Sequence, residues 1–103
     1  MFKHNSSGEM AGDDFLRQCD RMGHDVAKEV LKYPYIFTSN GDFTFLRQLC
    51  GEPDIDIKYK KVDTNQLKFY VYAYDESKKL CAVFYALYVG KYKAYCEVKW
   101  WSV

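Results

Sequence analysis

Two histidines, four cysteines and a few close-set carboxylates are what this chain offers to acid–base, nucleophilic or metal chemistry. General acid–base work most often recruits His, and here His4 lies in a polar N-terminal stretch while His24 sits between Gly23 and Asp25. No Ser or Cys nucleophile is set beside either one by sequence logic. Cys19 and His24 are five residues apart, about 140° around a helix of 3.6 residues per turn, so they fall on different faces. His24 therefore reads as a boundary residue touching solvent. Asp13, Asp14, Asp20 and His24 make a modest cluster of possible metal ligands, which a solvated helix face with its own charge pairs explains better. Asp54-Ile55-Asp56 puts two carboxylates on one strand face, a pattern seen in glycosidases and magnesium sites but common at strand starts. No catalytic residue and no metal site is expected from these groups.

Cys19, Cys50, Cys81 and Cys96 are widely scattered, without the close Cys-x-x-Cys pairs of a zinc or thioredoxin-like site. Free, buried thiols are expected. The six glycines punctuate turns and form no phosphate-cradling loop, so no nucleotide or other cofactor is expected.

These groups must be positioned by a single domain, since 103 residues is about one average domain and 49% of them are apolar. Fifteen basic against fourteen acidic residues leave a net charge of +1, which argues against bulk polycation or polyanion behaviour. No run approaches the length of a spanning helix and the N-terminus lacks the apolar core of a signal peptide, so a cytoplasmic location without membrane contact is expected, the host cytoplasm if the chain is viral. Aromatic residues make up 18% of the chain, ten of them Tyr, so either a core or a contact surface must use the rings.

Residues 1–12 are polar and without periodicity and read as a flexible arm ahead of one α+β domain, 13–103. Phe15, Cys19, Met22, Val26 and Val30 recur at helical steps, widened by Leu16, Gly23, Ala27 and Leu31. The spacing predicts one long helix over 13–32, begun by Asp13 and Asp14 and stopped by Pro34. Residues 42–50 read as a short helix capped by Asp42, with a hairpin turning at Asn40-Gly41 as the rival. Beyond Pro53, two-residue alternation marks strands at about 54–62, 66–74, 79–89 and 92–100, a four-stranded antiparallel meander packed on the helix. Asp63-Thr64-Asn65 fits a three-residue hairpin turn with Asn65 left-handed, which sets Ile55, Ile57 and Tyr59 opposite Ala73, Val71 and Phe69. Gly90-Lys91 fits a two-residue turn pairing Val83, Tyr85, Leu87 and Val89 with the last strand, and both hairpins are expected to turn their apolar sides to the helix. Helix-plus-meander order resembles cystatin-like scaffolds, with no motif that makes the match specific.

The opposite face then carries Lys58, Lys60, Lys68, Tyr70, Tyr72 and Tyr74, with Phe84, Tyr88, Lys93, Tyr95 and Lys99 from the last two strands. Tyrosines among lysines suit a protein partner, because interface anchors favour Tyr. The same face suits single-stranded nucleic acid, where rings stack bases and lysines hold phosphates. The register sets Lys60 opposite Lys68, a like-charge pair that favours a bound anion or partner carboxylate. The size and the Lys/Tyr/Phe richness resemble the small accessory proteins that phages direct against host machinery. The expectation is a non-enzymatic protein-binding domain, an inhibitor or modulator, with a nucleic-acid-binding module as the alternative. An unpaired edge strand leaves room for a sheet-extended homodimer.

Overall fold

A computed structural model describes residues 12–48 and 51–93. Helix α1, Gly12–Leu31, is followed by four strands, β1 Tyr35–Phe45, β2 Asp54–Asp63, β3 Gln66–Tyr74 and β4 Leu80–Lys91. They form one antiparallel sheet in the order β1-β4-β3-β2, so the α+β architecture of one long helix on a four-stranded sheet is as the sequence predicts. No helix among the described residues is long and apolar enough to cross a membrane.

The helix buries Phe15, Cys19, Gly23, Ala27 and Leu31, a line at four-residue steps. Met22, Val26 and Val30 flank it and are half-buried. Lys32 ends the helix in the left-handed region, φ 61°, with its N–H still bonded to the Lys28 carbonyl at 3.1 Å. Pro34 follows, and the chain turns into β1.

Under this helix lie Leu67, Phe69, Val71 and Ala73 of β3 and Ala82, Phe84, Ala86 and Tyr88 of β4, all buried. The β2–β3 hairpin has the predicted register, Ile55 opposite Ala73, Ile57 opposite Val71, Tyr59 opposite Phe69 and Lys60 opposite Lys68. Its turn differs, because pairing continues to Asp63 and Gln66 after a register shift beyond Lys61. Asn65 has no positive φ; its side-chain amide instead donates to the Gly90 carbonyl at 3.2 Å.

Three other expectations are corrected. Residues 42–45 are neither a short helix nor the far arm of a hairpin, since β1 runs straight through Asn40-Gly41. Pairing with β4 along its length supplies the backbone hydrogen bonds that a local helix would have supplied, with one bulge between Thr38 and Asn40. Gly90-Lys91 is not a turn but the end of β4, and Gly90 is required because a Cβ there would lie 2.6 Å from the Tyr33 ring. The expected pairing of β4 with 92–100 is also wrong, because β1 and β3 already occupy both of its edges. Residues 94–100, the arm 1–11, and with them Cys50, Cys96, Tyr95, Val98 and Lys99 lie outside the described residues.

The third correction concerns the face of β4. Ala73 pairs with Ala82 but Tyr74 pairs with Leu80, so one extra residue, Cys81, enters β4 at a bulge. An odd insertion exchanges every side chain between faces. Ala82, Phe84, Ala86 and Tyr88 therefore point to the helix, and the half-buried Val83, Tyr85, Leu87 and Val89 point away.

Candidate functional site

The inversion of β4 carries Tyr88 beneath the middle of α1, directly opposite Thr38 of β1. The ring fits there because residue 23 is glycine: a Cβ on it would come within 2.5 Å of two Tyr88 ring carbons. Glycine in a helix interior costs about 1 kcal/mol relative to alanine, so its presence on the buried line marks a close approach.

Asp20 and His24, one helical turn apart, reach the same point. The fully buried Tyr88 donates its hydroxyl proton to Asp20 Oδ1 at 2.8 Å, with the Asp20 carbonyl oxygen also near, at 3.2 Å. Thr38 Oγ1 donates to the same Oδ1 at 3.2 Å and lies 3.0 Å from His24 Nε2. His24 Nε2 is 3.6 Å from Asp20 Oδ2, and the His24 ring meets the Tyr88 ring edge-on with centroids 4.8 Å apart. Asp20 and His24 keep the partly exposed boundary position read from the sequence, and from it they lean across to the sheet and join a four-residue polar cluster that the sequence reading did not bring together. Asp14, at 6% exposure, is buried as well.

Burial, followed by the hydrogen bond and the charge of Asp20, raises the Tyr88 phenol above its ordinary value of 10.0, so the hydroxyl stays protonated and remains a donor. Burial and then the Asp20 charge push the Cys19 thiol up to about 12, which makes it inert as a nucleophile near neutral pH. Both described cysteines, Cys19 and Cys81, are free and buried.

Asp20 opens onto a groove of about 690 Å³ between helix and sheet, lined by Leu16, Arg17, Thr38, Gly41, Asp42, Phe43 and Phe84. Leu16, Phe43 and Phe84 make one side apolar, while Arg17, Asp20 and Asp42 place charges along it. A carboxylate beside an apolar trough suits proton transfer to or from a water next to a bound apolar group.

The residues expected to bind a partner are not at this groove. Tyr70, Tyr72 and Tyr74 alternate with the buried residues of β3 and lie half-buried on the sheet face away from the helix. Tyr70 and Tyr72 stack with ring centroids 6.4 Å apart, Tyr70 also meets Tyr85 at 5.0 Å, and Lys58 lies 5.7 Å from the Tyr72 centroid. Lys58 and Lys60 are exposed on edge strand β2, Lys68 is half-buried, and Lys93 is exposed beyond β4. Tyr88 and Phe84, expected on the same outer face, are instead 0% and 2% exposed on the inner one, for the parity reason given above. The cluster and the expected face thus share no described residue except Tyr88. Gly23 was the available signal for the cluster, because an isolated glycine in a buried helical stripe asks for a packing reason.

One helix laid along an antiparallel sheet of this order is the hot-dog arrangement. No protein family is matched by the sequence, and no curated protein matches it either. Solved structures do share the fold. A Mycobacterium tuberculosis protein described as a candidate esterase superposes with a TM-score of 0.70 at 12% identity, over 84% of this chain and 73% of that one. A protein of the thioesterase superfamily gives 0.66 at 13% identity, over 87% of this chain and 69% of that one. An acyl-CoA hydrolase from Agrobacterium tumefaciens gives 0.62 at 11% identity, over 85% of this chain and 38% of that one. These likenesses overturn the expectation of a non-enzymatic, phage-type inhibitor: the chain shares its fold with proteins described as hydrolases.

Proposed function

We propose that this chain hydrolyses thioesters of the acyl-CoA class, with the acyl group in the groove and Asp20 as the base. The supporting observation is the Asp20 carboxylate, oriented by two hydroxyl donors beside the apolar wall of Leu16, Phe43 and Phe84. In the step this implies, a water gives a proton to Asp20 while its oxygen bonds to the thioester carbonyl carbon. The carbon–sulfur bond then breaks, and the thiolate takes that proton as it leaves, giving a carboxylic acid and a thiol. The shared fold supports the same reaction class.

The test is a panel of short, long and aromatic acyl-CoA thioesters with the released thiol trapped by a chromogenic disulfide. Turnover by the native chain and a kcat lower by about 100-fold or more in Asp20→Asn is expected, the scale of a lost general base. Absence of turnover across the panel, or an Asp20→Asn variant as active as the native chain, would overturn the reading.

In this reading the protein works as a homodimer in the cytoplasm, where acyl-CoA is met. Among the described residues β1 and β2 each have one strand neighbour, and β2 exposes Ile57, Tyr59 and Val62, an apolar surface that a second copy would cover. Sedimentation at micromolar concentration distinguishes the dimer from the monomer.

A further inference from the structure

The two oxygens of Asp20 are held unequally. Oδ1 accepts from Tyr88 at 2.8 Å and from Thr38 at 3.2 Å, whereas Oδ2 meets His24 Nε2 at 3.6 Å. Each hydroxyl has one proton to give and an ionised carboxylate has none. The proton of Thr38 therefore goes to Asp20, and its oxygen is left to accept from His24 in the tautomer that carries its proton on Nε2. The chain of donors runs His24 to Thr38 to Asp20, and Tyr88 closes it from the other side.

Two features show that the Tyr88 hydroxyl is more than a piece of core. A buried hydroxyl is costly unless it is paired, and phenylalanine would fill the same space beneath α1 without that requirement. The helix, moreover, gives up a side chain at position 23 to admit the ring. Thr38 stands opposite Tyr88 in the β1–β4 ladder, so the two donors are fixed to the same sheet position, just before the β1 bulge.

We infer that Tyr88 is a positioning residue which, together with Thr38, pins Oδ1 of Asp20 so that Oδ2 is the oxygen presented to water and acyl group in the groove. This rests on the reading of Asp20 as the base of a thioester hydrolase. Tyr88 touches no substrate in this arrangement and acts through Asp20 alone. Thr38, which lines the groove, shares the task and is the donor to which His24 is coupled.

Tyr88→Phe keeps the ring and removes only the hydroxyl. Its kcat on the best acyl-CoA of the panel should fall about 10- to 100-fold, the scale expected of a misoriented catalytic group, with KM changed less than twofold. Thr38→Val should show the same split and Thr38→Ser should restore kcat, since serine returns the donor. A loss of packing alone would not be rescued by the smaller hydroxyl residue. A readout independent of turnover comes from proton NMR: a buried hydroxyl held on a carboxylate, as Tyr88 is on Asp20, exchanges slowly and resonates downfield. That resonance should vanish in Tyr88→Phe and move in Asp20→Asn and Thr38→Val. If Asp20→Asn is inactive while Tyr88→Phe is fully active, the positioning role is overturned and the hydrolase reading stands. If the native chain turns over no thioester, the hydrolase reading falls, and the hydroxyl resonance decides alone whether Tyr88 holds Asp20: present and sensitive to Asp20, it supports the pinning; absent, it overturns it.

Discussion

Gly23 and Tyr88 occupy one another's space: the phenol of β4 lies where a side chain of α1 would be, with its hydroxyl on the carboxylate one turn earlier in the helix. Gly23→Ala should therefore destabilise the fold by about 1–3 kcal/mol through overpacking, although alanine is the better helix former. In a Tyr88→Ala background the clash is gone, so adding Gly23→Ala should stabilise by up to about 1 kcal/mol, the ordinary helix preference. Urea denaturation of the four chains measures the cycle, and equal effects of Gly23→Ala in both backgrounds would exclude the contact.

Phe69 is fully buried at the centre of β3, with its ring edge-on to Phe84 at 6.4 Å and to Tyr88 at 6.1 Å. Both neighbours belong to the strand whose face the Cys81 bulge selects. Phe69→Ala leaves a cavity between them and should cost about 3–5 kcal/mol in chemical denaturation. A cost below about 1 kcal/mol would mean that the ring is not in the core.

What could be read from the sequence was local. The helix stripe from Phe15 to Leu31 and the register of Ile55, Ile57 and Tyr59 on β3 depend on spacings within one element or across one short turn. The face of β4 depends on a single extra residue, Cys81, whose bulge leaves no mark in an apolar run where both parities, Val83-Tyr85-Leu87 and Ala82-Phe84-Ala86, look buried. β1 was misread because its partner, β4, lies far ahead, from 37 residues between Phe45 and Ala82 to 56 between Tyr35 and Lys91, and the helical spacing of Phe43, Leu46 and Leu49 was the stronger local signal. The cluster was hidden for the same reason. Tyr88 and Asp20 are 68 residues apart and Thr38 and Asp20 are 18 apart, and it takes both the β1–β4 ladder, which pairs Thr38 with Tyr88, and the packing of α1 on the sheet to bring them together. The Tyr/Lys face of β2 and β3 was placed where it lies, but that placement does not say what the face does.

Alkaline pH should weaken the fold through protons retained in the native state on Cys19, Cys81 and Tyr88. Burial, and then the charge of Asp20, push Cys19 up to about 12, while burial and the Asp20 hydrogen bond raise Tyr88. The unfolded chain loses the same protons near 9.0 and 10.0. Groups raised on folding contribute stability that is complete below the unfolded values and is lost as pH climbs past them. Melting temperature should be level from pH 7 to 8.5 and decline above 9. The decline should be shallower in Tyr88→Phe, which removes one of these protons. Parallel profiles for the two chains would rule out a contribution from Tyr88.

Lys32 adopts φ 61° immediately after α1, the place where glycine commonly ends a helix. A side chain in the left-handed region costs about 1–2 kcal/mol, part of which glycine returns through its freer unfolded chain. Lys32→Gly should therefore raise stability by roughly 0.5–1 kcal/mol. Thermal melts detect a gain of that size, and a lower melting temperature would count against the strain.

Asp75 governs the turn that delivers the β4 bulge. Its N–H donates to the Lys79 carbonyl at 3.0 Å, its carbonyl accepts from the Lys78 N–H at 2.9 Å, and its carboxylate accepts from the Lys79 N–H at 2.9 Å. The Cys81 thiol donates to the Lys79 carbonyl at 3.3 Å, and the Cys81 carbonyl accepts from both Leu46 and Arg47, so turn, bulge and the exit of β1 form one unit. The Lys79 N–H bond is the first cause that holds the Asp75 carboxyl below its ordinary 3.8, with the Ser77 N–H, the Cys81 thiol and the Arg47 charge adding to it against partial desolvation. A carboxylate lowered on folding contributes stability that is present above the unfolded value and is lost as pH falls through the folded one. Asp75→Asn keeps an oxygen for the Lys79 N–H but cannot titrate. The variant should melt below the native chain at pH 7, and the gap should close as pH falls below the ordinary 3.8. A gap that stays constant over that range would show that the carboxylate charge plays no part in fixing the turn.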